Sequence, residues 1–170
     1  AKIKSFFKEI ENEVLKNFDK YPPNVEAMKT NKAKGGLPSD WFDMLKWNKK
    51  LSEIEAPFVR ATYMIGGKAA LKQLKSEFQF NSIAAGMENI TDKRTGSIMD
   101  TNAVTQRQIR KHVAKGIEAG ESTAKIRKRL SDYFKGDDIK YRAEKIARTE
   151  SIWAYNSGAV AGYQQSRVVK

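Results

Sequence analysis

Apolar side chains recur at steps of three and four residues from the start of the chain, with Ile3, Phe6, Phe7, Ile10, Val14 and Phe18 separated by Lys4, Lys8, Glu11 and Lys16. This spacing predicts an amphipathic helix. The net charge over residues 1–20 is only +1, which favours packing against another helix over adsorption to a membrane surface. Tyr21-Pro22-Pro23 ends the helix, because proline cannot continue the hydrogen-bond ladder. The polar run that follows, through Lys29, Lys32, Lys34, Gly35, Gly36 and Pro38, reads as a flexible connector over about 21–38. Ser39 then suits the N-cap of a second helix carrying Trp41, Phe42, Leu45, Leu51 and Ile54, and Pro57 the first turn of a third. On that third helix Phe58, Ile65 and Ala69 share one face while Val59, Tyr63, Ala70 and Leu74 share another, so it is expected to be sandwiched. Gly66-Gly67 matches no glycine-rich nucleotide motif and predicts a kink or a close helix crossing. Phe78-Gln79-Phe80 reads as a short strand or an extended anchor, and residues 82–100 show no clear period.

From Thr101 the pattern sharpens. Thr105, Ile109, Val113 and Ile117 recur every four residues and Gly120 supplies a stop. Ser122 caps the next helix, with Ile126, Leu130, Tyr133 and Phe134, and Asp137-Asp138 open a final helix running to about Ser166. The expected fold is therefore mainly α, a multi-helix bundle with a C-terminal helical hairpin, a long last helix and little or no β. Two regions are expected, 1–100 and 101–170.

Charge sharpens this picture. The 170 residues carry 32 Lys+Arg against 20 Asp+Glu, a net +12. The excess is +4 over residues 1–100 and +8 over 101–170. On the helix from Thr101, Arg107, Lys111 and Lys115 project opposite the apolar row with Arg110 on the flank, and Arg127 and Lys128 add charge on the neighbouring helix. Such a surface suits sequence-independent contact with duplex DNA phosphates, and it equally describes a solvated helix exterior. No zinc finger, RNA-recognition signature or basic zipper accompanies it. With zero Cys and one His, His112, the chain lacks a disulfide framework, a thiol nucleophile and cysteine-ligated zinc, and no metal or cofactor is expected. No apolar run is long enough to span a bilayer and none resembles a secretory signal, so no membrane partner is expected.

One residue breaks the pattern. Glu150 falls in the middle of the face formed by Ala143, Ile146, Trp153, Ala154, Ser157 and Ala161. A carboxylate buried there must be paired or hydrogen-bonded, so an Arg or several donors are expected to satisfy it. The alternative, a metal-binding or general-base Glu150, needs a second acidic residue or His converging on it, and none lies within helical reach. The small residues around it, Ala143, Ala147, Ala154, Gly158, Ala161 and Gly162, would admit a closely packed helix.

The run Arg142-Ala143-x-x-Ile146-Ala147-Arg148-Thr149-Glu150, with Ala154, Asn156, Gly158 and Tyr163, resembles the signature of the phage Mu F-like head-morphogenesis family, the minor capsid proteins of tailed phages. Thr105, Ile109, Ile117, Gly120, Ser122, Ile126 and Phe134 stand at the spacing of the segment that precedes that signature, so the resemblance covers about 101–168. The N-terminal half, with Phe42, Trp47, Leu51 and the Gly66-Gly67 helix, is similar in layout to the helical region before this domain in minor head proteins and in portal fusions. Family members continue into a segment rich in Trp, Asp, Arg and His, whereas this sequence stops at Val168-Val169-Lys170, which implies a domain truncated at its C-terminal end. The resemblance implies a non-enzymatic component of the virion, at the capsid interior or portal vertex, assembled in the host cytoplasm, with portal and capsid proteins as partners. It implies a structural role for Arg148, Thr149, Glu150, Asn156 and Gly158. The competing expectations are an enzyme acting on nucleic acid or cell wall with Glu150 as its acidic centre, and a non-specific DNA-binding protein.

Overall fold

The structure, a computed structural model, describes residues 2–23, 41–87 and 95–167. Its helices are α1 (Lys2–Lys20), α2 (Met44–Gln73), α3 (Thr95–Glu118), α4 (Thr123–Lys135) and α5 (Asp137–Gln165). The described residues contain no strand, and the fold is mainly α. No described helix is long and apolar enough to cross a membrane. Most of the expected connector, with the Ser39 cap, lies outside the described residues.

The chain forms two compact units interleaved in sequence, residues 1–49 with 99–143 and residues 50–98 with 144–170. One junction between the units falls at 98/99, near the expected division, and each unit also takes in residues from the other part of the sequence.

In the first unit α1 packs against α4 and buries Phe6, Phe7, Ile10, Val14 and Phe18, the expected stripe. Trp41 and Trp47 join that core: Trp47 meets the Phe6 ring edge-on at 5.6 Å, and Trp41 lies 5.1 Å from Phe18. Each such side chain contributes on the order of 1.5–3 kcal/mol when withdrawn from water. Trp41 and Phe42 were expected on the second helix and instead precede it. Trp41 donates its indole N–H to the Tyr21 carbonyl at 3.1 Å, and the cap is Asp43, whose carboxylate accepts from the Lys46 N–H at 3.0 Å. The predicted hairpin is present. Gly120 adopts φ 66° and closes α3 through Gly120 N–H to Ile117 O and Glu121 N–H to Gly116 O, a Schellman turn, and Ser122 accepts from the Lys125 N–H at 3.4 Å.

The expected boundary at Pro57 is absent: α2 runs through it from Met44 to Gln73. An interior proline costs about 3 kcal/mol by removing one ladder bond and crowding the preceding turn. Here the loss is offset because Leu51 and Val59, on either side, are both fully withdrawn from solvent in the second unit. The expectation of a sandwiched helix is also corrected. Val59, Tyr63 and Ala70 are buried, but Phe58 and Ile65 are 44% and 59% exposed, because α5 covers one face of α2.

That coverage is a backbone-to-backbone crossing. A Cβ at Gly158 would stand 2.8 Å from the Tyr63 carbonyl carbon, one at Gly66 2.9 Å from that of Tyr155, and one at Gly162 2.9 Å from the Ala70 Cβ. Glycine costs a helix interior about 1 kcal/mol relative to alanine, so these positions are held for proximity and not for helix propensity. Around the crossing Val59, Tyr63, Ala154 and Ala161 form a small core, and Phe80 packs on it from a stretch that is neither helix nor strand, so Phe78-Gln79-Phe80 acts as an anchor and not as a strand. Tyr63 donates to the Ala85 carbonyl at 2.8 Å, and Gln165 both accepts from and donates to the Asn81 backbone, which ties the 81–87 turn down. Replacement of Gly158 by Ala is expected to force the helices apart and destabilise the protein by about 1–3 kcal/mol, with lowered thermal midpoint and unchanged helical circular dichroism below it; an unaltered midpoint would refute the crossing.

Candidate nucleic-acid interface

Rotation of α3 is set by its buried side, where Thr105, Ile109 and Val113 are each at most 2% exposed. Four-residue steps then carry Arg107, Lys111 and Lys115 along the opposite side, and all three are exposed, as is Arg110. The stretch Arg107–Lys115 contains no acidic residue, and none of these four cations forms an ion pair with a described residue. From Arg107 to Lys115 the helix rises about 12 Å, and each DNA strand carries a phosphate per about 3.4 Å of axis, so the row spans three to four phosphates.

The two other candidate cations differ. Arg127 is committed to Asp19 at the end of α1, through Nε to Oδ1 at 2.6 Å and Nη2 to Oδ2 at 3.0 Å, and this partner raises its pKa further. Its guanidinium is therefore occupied within the first unit. Lys128 stands 3.6 Å from Asp132 in an exposed i,i+4 pair that is worth little and yields readily to another anion.

The signature residues separate by direction. Glu150 is 2% exposed, so the expected inward carboxylate is present, and the Ser97 hydroxyl donates to it at 3.4 Å; the expectation was of an Arg or several donors, of which this contact supplies one. Gly158 sits at the α2 crossing, and Arg148, Thr149 and Asn156 are exposed. Among the described residues no group of three or more His, Asp or Glu side chains is arranged to hold a metal ion.

The pattern also passed over three groups. Glu11, placed among the polar residues of α1, is 2% exposed, accepts from Ser131 at 3.1 Å and pairs with Lys8 at 2.7 Å. Its register was legible: Glu11 falls between Phe7 and Val14 in the same apolar stripe, the criterion that singled out Glu150. Arg142 lies 5.3 Å over the Phe7 ring and donates to the Thr101 carbonyl at 3.0 Å and to Thr105 and the Tyr133 hydroxyl at 3.3 Å. No local spacing announces a cation that reaches across helices. His112 stacks on Tyr133 with 4.8 Å between centroids, at an open cleft of about 650 Å³ also lined by Lys125, Arg129, Glu121 and Asp138. Burial of the ring, followed by the positive charges of Arg129, Lys115 and Lys111, holds the imidazole below its ordinary 6.5 against the opposing pull of Asp138. Burial raises the pKa of Tyr133 against Arg142.

No protein-family model matches the chain, and neither a curated protein nor a solved structure matches it.

His112 defines a pH test. The unfolded chain binds a proton near pH 6.5 that the folded chain takes up only at lower pH, so stability must fall as pH drops through and below that value. Urea midpoints measured from pH 7.5 down to about 5.5 are expected to decline in the native protein and to flatten in His112→Gln, in a window above the carboxylate range. Identical slopes in the two proteins would show that His112 does not carry the effect.

Proposed function

We propose that this chain is a structural, non-enzymatic component of a tailed-phage head, a minor capsid protein that works at the portal vertex or capsid interior and holds packaged duplex DNA without sequence preference. The single observation that carries the DNA contact is the row Arg107, Arg110, Lys111 and Lys115: four exposed cations without ion-pair partners among the described residues, on one face of a helix whose other face is anchored in a core. Phosphate contact needs only positive charge at the right spacing, whereas base reading needs a helix placed in a groove by a docking scaffold. A net charge of +12 agrees with a polyanion partner. The head role rests on the resemblance of residues 101–168 to the Mu F-like signature, in which Glu150 and Gly158 serve packing and the protein associates with portal and capsid through helical faces.

Two measurements test this. Fluorescence anisotropy with two unrelated duplexes is expected to give similar affinities that fall steeply as salt rises from about 50 to 200 mM, and each of Arg107→Gln, Lys111→Gln and Lys115→Gln should lower the slope of log K against log salt by about 0.9. Arg127→Gln should leave that slope unchanged. Salt-independent binding would remove the DNA contact from the proposal. Mass spectrometry of purified proheads and virions is expected to find the protein at low copy number, and its absence from both would defeat the head role.

A further inference from the structure

Arg107, Lys111 and Lys115 carry fixed charges, but a residue set beside them does not. Around the axis of α3, His112 lies about 100° from Lys111 and about 60° from Lys115, where the exposed face of the helix turns into the buried one. Its half-buried ring is stacked on Tyr133 of α4, with 4.8 Å between centroids and 31° between planes. Its Nδ1 is withdrawn from solvent and has no hydrogen-bond partner among the described residues. This is the one histidine of the chain, and imidazole is the side chain whose ordinary titration falls between pH 5 and 8. The basic row therefore has a neighbour whose charge changes near neutrality.

Groups on every element around the ring set that charge. Lys111 and Lys115 on α3 and Arg129 on α4 repel an added proton, and Lys125 and Lys128 line the same cleft. Of the acids in that lining, Glu121 is forked onto Arg129 and Asp132 pairs with Lys128, whereas Asp138 at the start of α5 pulls a proton toward the ring. The Tyr133 hydroxyl, held by Arg142, keeps its own proton because burial raises its pKa, and its ring face is a favourable seat for an imidazolium. In the free protein burial and the three repelling cations prevail, and the ring stays neutral to lower pH than an unburied imidazole.

A polyanion laid on the row reverses part of this balance. Phosphates placed against Lys111 and Lys115 cancel two of the charges that repel the proton and add negative charge of their own. Linkage is reciprocal, so if bound phosphate favours the imidazolium, the imidazolium favours bound phosphate. The complex then titrates at higher pH than the free protein. Affinity must rise as pH falls through the midpoint of the complex and level off below that of the free chain.

On the reading that α3 contacts duplex DNA, we propose that His112 makes this contact proton-linked: DNA held on Arg107, Lys111 and Lys115 brings a proton onto the His112 imidazole, and acidification tightens the grip.

The test uses the full chain and a duplex. With one histidine in the sequence, the ring signals of His112 in isotope-labelled protein identify themselves. Their titration midpoint is expected to rise when duplex DNA is saturating. It is also expected to rise in the free protein when Lys111→Gln with Lys115→Gln removes the repelling charges; both positions are exposed, so the double variant retains the fold. A midpoint that DNA leaves unmoved or lowers would overturn the proposal, as would one indifferent to the double substitution. Fluorescence anisotropy at fixed salt should show affinity for the duplex rising about three- to tenfold from pH 7.5 to 5.5, the scale of one charge added beside contacted phosphates, with circular dichroism confirming the folded state at each pH. In His112→Gln that rise should be lost, and because the window lies above the carboxylate range, a rise that persists there would overturn the proposal. Failure to bind DNA at any pH would defeat the contact and the linkage together, whereas binding with an unmoved His112 midpoint defeats the linkage alone.

Discussion

The burial of Thr105, Ile109 and Val113 determines what this protein presents to its surroundings. A helix has one rotational freedom when it docks, and three side chains at four-residue steps remove it. Once they face inward, Arg107, Lys111 and Lys115 have only one side left to occupy. The basic row is thus a consequence of core packing, and it stays in place because releasing it would expose apolar surface. Thr105 adds a polar lock, with its hydroxyl donating to the Thr101 carbonyl at 2.9 Å while Arg142 donates to both residues.

Charge in the first unit divides into two populations. Arg127 with Asp19 and Arg129 with Glu121 are forked guanidinium–carboxylate pairs that join separate segments of chain. Glu11 is buried between α1 and α4, where Ser131 and Lys8 satisfy it; losing a partner there would leave a carboxylate in a poorly solvating place. These charges are engaged within the unit. The α3 row, by contrast, has no acid within its stretch, and so its field is directed at solvent and at whatever polyanion approaches.

The second unit is organised by proximity of backbones. Gly158 against Tyr63 and Gly66 against Tyr155 bring α2 and α5 closer than side chains would allow, and the remaining volume is filled from outside by Phe80 and the 81–87 turn. Glu150 belongs to the same unit, buried and with Ser97 as a donor.

Periodicity alone determined that this chain is helical, where α1 lies, how α3 turns into α4 at Gly120 and Ser122, which way the α3 cations point, and that Glu150 faces inward. All of these depend on interactions within one or two helical turns. It misplaced the start of α2, and it broke that helix at Pro57, where a local penalty of about 3 kcal/mol is met by the burial of Leu51 and Val59 on either side. Tertiary structure alone decided that Arg127 is held by Asp19, 108 residues away, that Arg142 bridges helices, and that α2 and α5 cross at their glycines. Pattern along a chain records which face of an element is apolar. Which other element covers that face, and which charges meet across the contact, depends on partners that spacing does not encode.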